Sequence, residues 1–144
     1  MKVTYPIILT DCDTNILVEV PDLGILTEAN EEGAPKATMA DAIAMARDAI
    51  GLYCIGKEDD GEEPVEASAM SAIDITKGTF YGEGTAVISL VDVDLVAYRR
   101  MLDNKMVRRN VTLPNWLNRE AEAARINVSK VLQEALMLKL NVSR

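Results

Sequence analysis

The chain has 144 residues, of which 49% are apolar and only 4% aromatic, a composition that supports a folded Ala/Val/Leu/Ile core and allows one domain or two small modules. No apolar run approaches the roughly 20 residues a membrane helix needs, and the opening "MKVTYPIILTDCD" lacks the cleavage site of a secretory signal, so a cytoplasmic location is expected. The net charge of −8 is unevenly divided: residues 1–98 carry 19 acids and 5 bases, a net of −14, whereas residues 99–144 carry 4 acids and 10 bases, a net of +6.

The first elements alternate as strands do. "VTYPIIL" (Val3 to Leu9) and "NILVEV" (Asn15 to Val20) are apolar, β-rich runs joined by the polar "TDCDT", which makes a hairpin. "PDLG" (Pro21 to Gly24) is a turn, and "ILTEA" returns as a third strand. After the loop "NEEGAPKA", Thr38 and Asp41 have the spacing of a capping box. They open a helix, "MADAIAMARDAIGLY", whose Met39, Ala42, Ile43, Ala46, Ala49, Ile50 and Tyr53 share one face. That face belongs against a sheet.

"GKEDDGEEPVE" (Gly56 to Glu66) is acidic, contains glycine and is interrupted by Pro64, so it is expected to be a solvated, mobile loop. "ASAMSAIDI" is ambiguous between helix and extended chain. "GTAVISLVDVDL" (Gly84 to Leu95) is the clearest strand, with an apolar character that predicts a central, largely buried position. A short helix, "DLVAYRRMLDNK", leads out of this α+β body of three to four strands and one main helix.

From Lys105 the chain reads as a strand and two helices. In "VRRNVTL" (Val107 to Leu113), Val111 and Leu113 are apolar on one face, while Arg108, Asn110 and Thr112 share the other. Pro114 suits a first helical turn, and Leu117, Ala121 and Ala124 repeat at helical spacing with Trp116 beside them. Asn127 is expected to take the left-handed conformation that ends this helix, and Ser129 to cap the next, in which Val128, Val131, Leu132, Ala135 and Leu136 form the buried stripe.

A unit of about 40 residues cannot bury such stripes alone without a metal, disulfides or a partner chain. Cys12 and Cys54 lack metal-ligand spacing and the chain has no histidine, so no metal or other cofactor is expected. A two-fold homodimer solves the problem by pairing the strands into an antiparallel ribbon over four helices. Such a ribbon fits the major groove of DNA, where Arg108, Asn110 and Thr112 are side chains suited to base edges. The start of the last helix, with Ser129 and Lys130, would hold a phosphate. Lys105, Arg109, Arg119 and Arg125 add nonspecific attraction.

The stretch "VRRNVTLPNWLNREAEAARINVSKVLQEAL" resembles the ribbon-helix-helix domain at the C-terminus of many HicB-type antitoxins. "YPIIL", "VEVPDLG", "ATMADAIAMARDAIGLY" and "VDVDLVAYRR" are similar, in order and spacing, to the small HicB body. The turn after Pro21 lacks a proline often seen before the glycine, and "NEEGAPK" looks like a longer loop. The resemblance implies a partial ribonuclease-H-like domain over residues 1–98, a connector over 99–104 and a ribbon-helix-helix domain over 105–144. It also implies an antitoxin that binds a HicA-type, mRNA-cleaving toxin through its acidic body and represses its own operon at operator DNA as a homodimer or higher oligomer. The toxin-contacting residues are not a short motif and are not assigned.

Two other readings make different demands on the residues. A two-metal nuclease would need Asp11, Asp13 and Glu19, near the first hairpin, to converge; Asp11 and Asp13 read as turn residues and not strand-centre ones, and no histidine is there to assist, which predicts no enzyme. A ligand-sensing repressor would keep the DNA-binding tail but bind a metabolite in the body.

Overall fold

The computed structural model describes residues 1–30, 36–104 and 106–142. It divides into two compact units, Met1–Asn104 and Lys105–Arg144. Among the described residues the architecture is mixed α/β, with a four-stranded antiparallel sheet and four α-helices.

In the first unit, β1 (Lys2–Asp11), β2 (Ile16–Val20), β3 (Ile25–Ala29) and β4 (Thr85–Asp94) lie in the order β3-β2-β1-β4. The "TDCDT" hairpin sets the register Ile8 to Glu19 and Asp11 to Ile16. Between β2 and β3, Pro21–Leu23 forms a single 3-10 turn closed by Gly24 at φ 64, where a side chain would be strained. Pro6 sits in a central strand, although proline has no N–H for a ladder. The arrangement is tolerated because β2 pairs only with Ile8–Asp11, so that at Pro6 the strand has β4 alone as a neighbour.

Strand alternation and register together assign the two faces. Tyr5, Ile7 and Leu9 share a face with Ile16, Val18 and Val20 and with Val91 and Val93, and all of these are buried in one core. Onto this face packs α1 (Met39–Asp59), through Ala42, Ala46, Ile50 and Cys54, each 0% exposed. Two alanines at i and i+4 bring the helix axis close to the sheet. The expected capping box opens α1: the Thr38 hydroxyl accepts from the Asp41 N–H, and the Asp41 carboxylate accepts from the Thr38 N–H at 3.0 Å. These bonds to Thr38 hold the Asp41 carboxyl below the usual carboxylate range.

Three expectations are corrected in this unit. α1 does not stop near Tyr53 but continues to Asp59, because Cys54 and Ile55 extend its buried stripe. Gly56–Asp59 of the expected loop are therefore helical. Gly61, at φ 74, ends the helix, with the Gly61 N–H reaching Glu58 O and the Glu62 N–H reaching Lys57 O. The rest of that loop is tied down: the Tyr5 hydroxyl donates to Val65 O, while the Ser68 N–H and hydroxyl donate to Asp22 at 2.8 and 2.6 Å. Finally, β4 is an edge strand, not a central one. Its Val91 and Val93 are buried under α1, whereas Val87 and Leu90 are 42% and 51% exposed. An apolar run does not distinguish a strand buried on both faces from an edge strand buried along half its length.

The ambiguous segment after Ser68 resolves into two 3-10 turns, Met70–Ala72 and Ile75–Lys77. It straps the sheet face opposite α1, where Glu19 accepts from the Thr79 N–H at 3.0 Å and from the Thr79 hydroxyl at 2.8 Å. β4 leads into α2 (Leu95–Leu102), capped by Asp94, whose carboxylate accepts from the Val96 and Ala97 N–H groups. Those bonds, the one from Ala97 first, hold the Asp94 carboxyl below its ordinary value. No helix among the described residues is long and apolar enough to cross a membrane.

Candidate functional site

The second unit contains α3 (Asn115–Ala123) and α4 (Val128–Leu140). Pro114 stands immediately before α3 with φ −55 and ψ 143, where a missing N–H costs nothing. The joint between the helices differs from expectation. Arg125, not Asn127, takes the left-handed conformation, at φ 54. Its N–H reaches Glu122 O and the Ile126 N–H reaches Ala121 O, both at 3.0 Å, which satisfies two terminal carbonyls. A residue with a β-carbon accepts this geometry at roughly 1–2 kcal/mol.

Asn127 instead caps α4, with its side-chain oxygen accepting from the Lys130 N–H at 3.1 Å. Ser129 is the second residue of that helix and not its cap. Both residues compete for the same helix end; the side chain lying outside the helix, three residues before the N–H that donates to it, takes the role.

Residues 106–114 have no regular secondary structure in the single chain. A strand needs a ladder partner, and one copy of this segment supplies none. Arg108, Arg109, Asn110 and Thr112 are all exposed along it. Lys105 lies outside the described residues. Ser129 and Lys130 are exposed at the opening of α4, and Arg119 and Arg125 are exposed as well.

No described residue of this second unit is buried. The stripe expected to be core is open: Val128, Val131 and Leu136 are 40%, 50% and 50% exposed, and Trp116 and Leu117 on α3 are 63% and 39% exposed. The expected burial is thus absent from the single chain, since two short helices have nothing to close against. Isolated exposed apolar residues are ordinary, but contiguous stripes on both helices mark an interaction surface.

The first unit presents the opposite chemistry. Of its five cations up to Tyr98, Lys36 pairs with Asp11 at 2.9 Å, Arg47 with Asp92 at 3.5 Å and Lys57 with Glu62 at 2.7 Å. Arg99 is likewise taken up by Glu58 and Asp59, both at 3.0 Å. Local pairing thus takes up three of the five cations, in a unit that carries 19 acids over the same residues. Sequence reasoning found this charge but not its location, since it assigned no residue to a partner.

The three carboxylates of the nuclease reading do not converge. Asp11 lies opposite Ile16 and so belongs to the helix-covered face, whereas Glu19 lies opposite Ile8 on the strapped face. Asp11 is paired with Lys36, and Glu19 is engaged by Thr79. Among the described residues no group of three or more His, Cys, Asp or Glu side chains is placed to hold a metal ion. Cys54 is buried, and that burial pushes its thiol up, away from reactivity.

The chain is similar to a known family and to a solved structure. The family described as "HicB_like antitoxin of bacterial toxin-antitoxin system" matches residues 5–136. No curated protein matches the chain. A solved structure described as "Toxin-Antitoxin complex from Streptococcus pneumoniae" is similar over 96% of this chain and 99% of that one, at 21% identity and a TM-score of 0.56. At that identity the likeness is one of fold.

Proposed function

Since the chain belongs to the HicB-like antitoxin family of bacterial toxin-antitoxin systems, we propose that it has two tasks on two units: its acidic body neutralises a HicA-type, mRNA-cleaving toxin by direct binding, and its basic tail represses its own operon. On this reading the body is a partial ribonuclease-H-like domain that has become a binding module. The role is regulatory and non-catalytic. The family supports a toxin as partner, and the fold likeness to a chain from a toxin-antitoxin complex supports a body shaped for one. A net charge of −14 over residues 1–98 would attract a cationic ribonuclease and compete with RNA phosphate for its surface.

The observation that carries the second task is the complete lack of buried side chains in the described part of the tail. Two copies remove it. Residues 107–113 of each chain pair across a two-fold axis, the four helices close beneath, and the apolar stripes of α3 and α4 become core. The ribbon's outer face then carries Arg108, Asn110 and Thr112 from both chains, in the register a major groove accepts. Arg109, Lys105, Ser129 and Lys130 serve the backbone phosphates. The Lys130 N–H is already bonded to Asn127, so the phosphate at α4 would rest on the neighbouring Val128 and Ser129 N–H groups and the two side chains.

Deleting residues 105–144 tests the division of labour. The truncated body keeps its own core and is expected to neutralise the toxin while losing operator binding. A body that no longer binds the toxin would show that the tasks are not separated this way.

A further inference from the structure

Two apolar grooves of the first unit meet at the C-terminal end of α1. One, of about 640 Å³, runs between α1 and α2 and is floored by Ile55, Leu95, Val96 and Leu102. The other, of about 450 Å³, runs between the start of β1 and the segment after α1, with Val3, Pro64 and Val65 along it. They share Met1 and Glu58 as lining residues and are therefore neighbours. The apolar side chains here are open to solvent: Met1 is 60%, Val96 48%, Leu102 50% and Val65 47% exposed. Among the described residues no strand pairs with Lys2–Ile7 on the flank where β2 would continue, so that the second groove runs along a strand margin.

The second groove is lined by carboxylates and by no lysine or arginine, whereas Arg99 and Arg100 join Glu58, Asp59 and Asp103 along the first. Residues 58–66 contain six carboxylates in nine positions. Glu58 and Asp59 are answered by Arg99, and Glu62 by Lys57. Asp60, Glu63 and Glu66 make no ion pair among the described residues, and Glu63 and Glu66 line the second groove. The walls are held by fixed contacts. Val65 is anchored by Tyr5 through its carbonyl, Ser68 by Asp22, and α2 by the Tyr98–Asp48 bond to α1. A pre-set apolar trough with an unanswered acidic margin is complementary to a chain segment that presents apolar side chains flanked by lysine or arginine.

We infer that this joined groove is the body's docking surface and that its occupant is a cationic amphipathic segment of the toxin. The assignment rests on the antitoxin reading for the identity of the partner, and on the groove's own chemistry for its character. The sheet face away from α1 is the competing surface, with Leu26 and Leu90 each 51% exposed on its two edge strands.

The test uses the full chain and the small protein encoded by the adjacent reading frame. The pair Val65→Lys and Val96→Lys puts cations into the groove at half-exposed positions, while Leu26→Lys and Leu90→Lys do the same on the competing face. Affinity is expected to fall at least about tenfold for the first pair and to stay near wild type for the second. Glu63→Gln with Glu66→Gln should slow association and flatten its salt dependence, with little change in dissociation. The reverse pattern between the two lysine pairs overturns the groove and leaves the antitoxin reading standing. If the wild-type chain does not bind the neighbouring product, the antitoxin reading fails instead, and a synthetic leucine–lysine helix decides the groove. Amide signals of Met1–Tyr5 and Glu58–Ala67 should then shift on titration with that peptide; shifts elsewhere, or none, overturn it.

Discussion

The ring of Tyr98 in α2 lies so close to Gly51 in α1 that a β-carbon on Gly51 would stand 2.8 Å from its Cε1. The Tyr98 hydroxyl donates to the Asp48 carboxylate at 2.5 Å, one helical turn from Gly51. Glycine inside a helix costs up to about 1 kcal/mol relative to alanine, and here it opens the space that lets α2 dock. Gly51→Ala should therefore destabilise the body by about 1–3 kcal/mol despite its better helix propensity, because the ring or α2 must move. Tyr98→Phe should cost about 1 kcal/mol by leaving Asp48 without its donor. Urea unfolding of both variants checks this; a Gly51→Ala protein as stable as wild type would mean that α2 shifts freely.

Tyr98 and Tyr5 also predict the alkaline limit of the fold. Burial pushes both phenols up to about 12, with the Asp48 charge adding to the effect at Tyr98 and the Cys54 thiol at Tyr5. A folded-state value above the unfolded one means that the native state holds the proton longer. This contribution to stability is complete below about pH 10, the unfolded value, and is lost as pH rises toward 12. Two of the four tyrosines should titrate late and together with unfolding, followed as tyrosinate absorbance alongside circular dichroism. Four phenols ionising near pH 10 with the fold intact would contradict the burial.

On the proposed ribbon, Arg108 and Lys130 should fail in different ways. Arg108→Ala removes a base contact, so it is expected to weaken operator binding by about 1–3 kcal/mol and to relax preference at one position. Lys130→Ala removes a phosphate contact, so it should weaken all sequences alike and lower the salt slope by about one. Binding across a set of operator variants at several salt concentrations separates them. Unchanged specificity in Arg108→Ala would take that residue out of base recognition.

What could be seen in the sequence was whatever depended on local chemistry. The Thr38/Asp41 box, the Pro21–Gly24 turn and the stripe of α1 follow from spacing alone, and each is present. What could not be seen depended on neighbours. The run from Thr85 to Asp94 is apolar enough for a central strand, but its place at the edge is set by the antiparallel pairing of all ten residues with β1 and, among the described residues, by no strand on its other side. Arg125 ends α3 although Asn127 is the better left-handed residue, because Asn127 is claimed by the Lys130 N–H. The opposed placement of Asp11 and Glu19 is a matter of register, and register emerges only when both strands are laid together. The grooves at the end of α1 were hidden for a related reason: an acidic, glycine-containing segment reads as solvated loop until its tether to Tyr5 is known.

The stripe on α4 gives the most demanding prediction. Val131 and Leu136 are each 50% exposed in the single chain, and full burial of such a side chain contributes about 1.5–3 kcal/mol. A two-fold axis counts each position twice, so replacing one of them by lysine removes apolar burial at two places and brings two like charges into the same core. Leu136→Lys should therefore convert a dimeric full-length chain to monomer in analytical ultracentrifugation at micromolar concentration. Operator binding should disappear with it, because a monomer presents half a ribbon. Toxin binding should persist, because the body keeps its own core of Tyr5, Ile7, Val18 and Ile50. The wild-type chain sedimenting as a monomer would remove the need for a second copy, and with it the ribbon on which the assignment of Arg108, Asn110 and Thr112 rests.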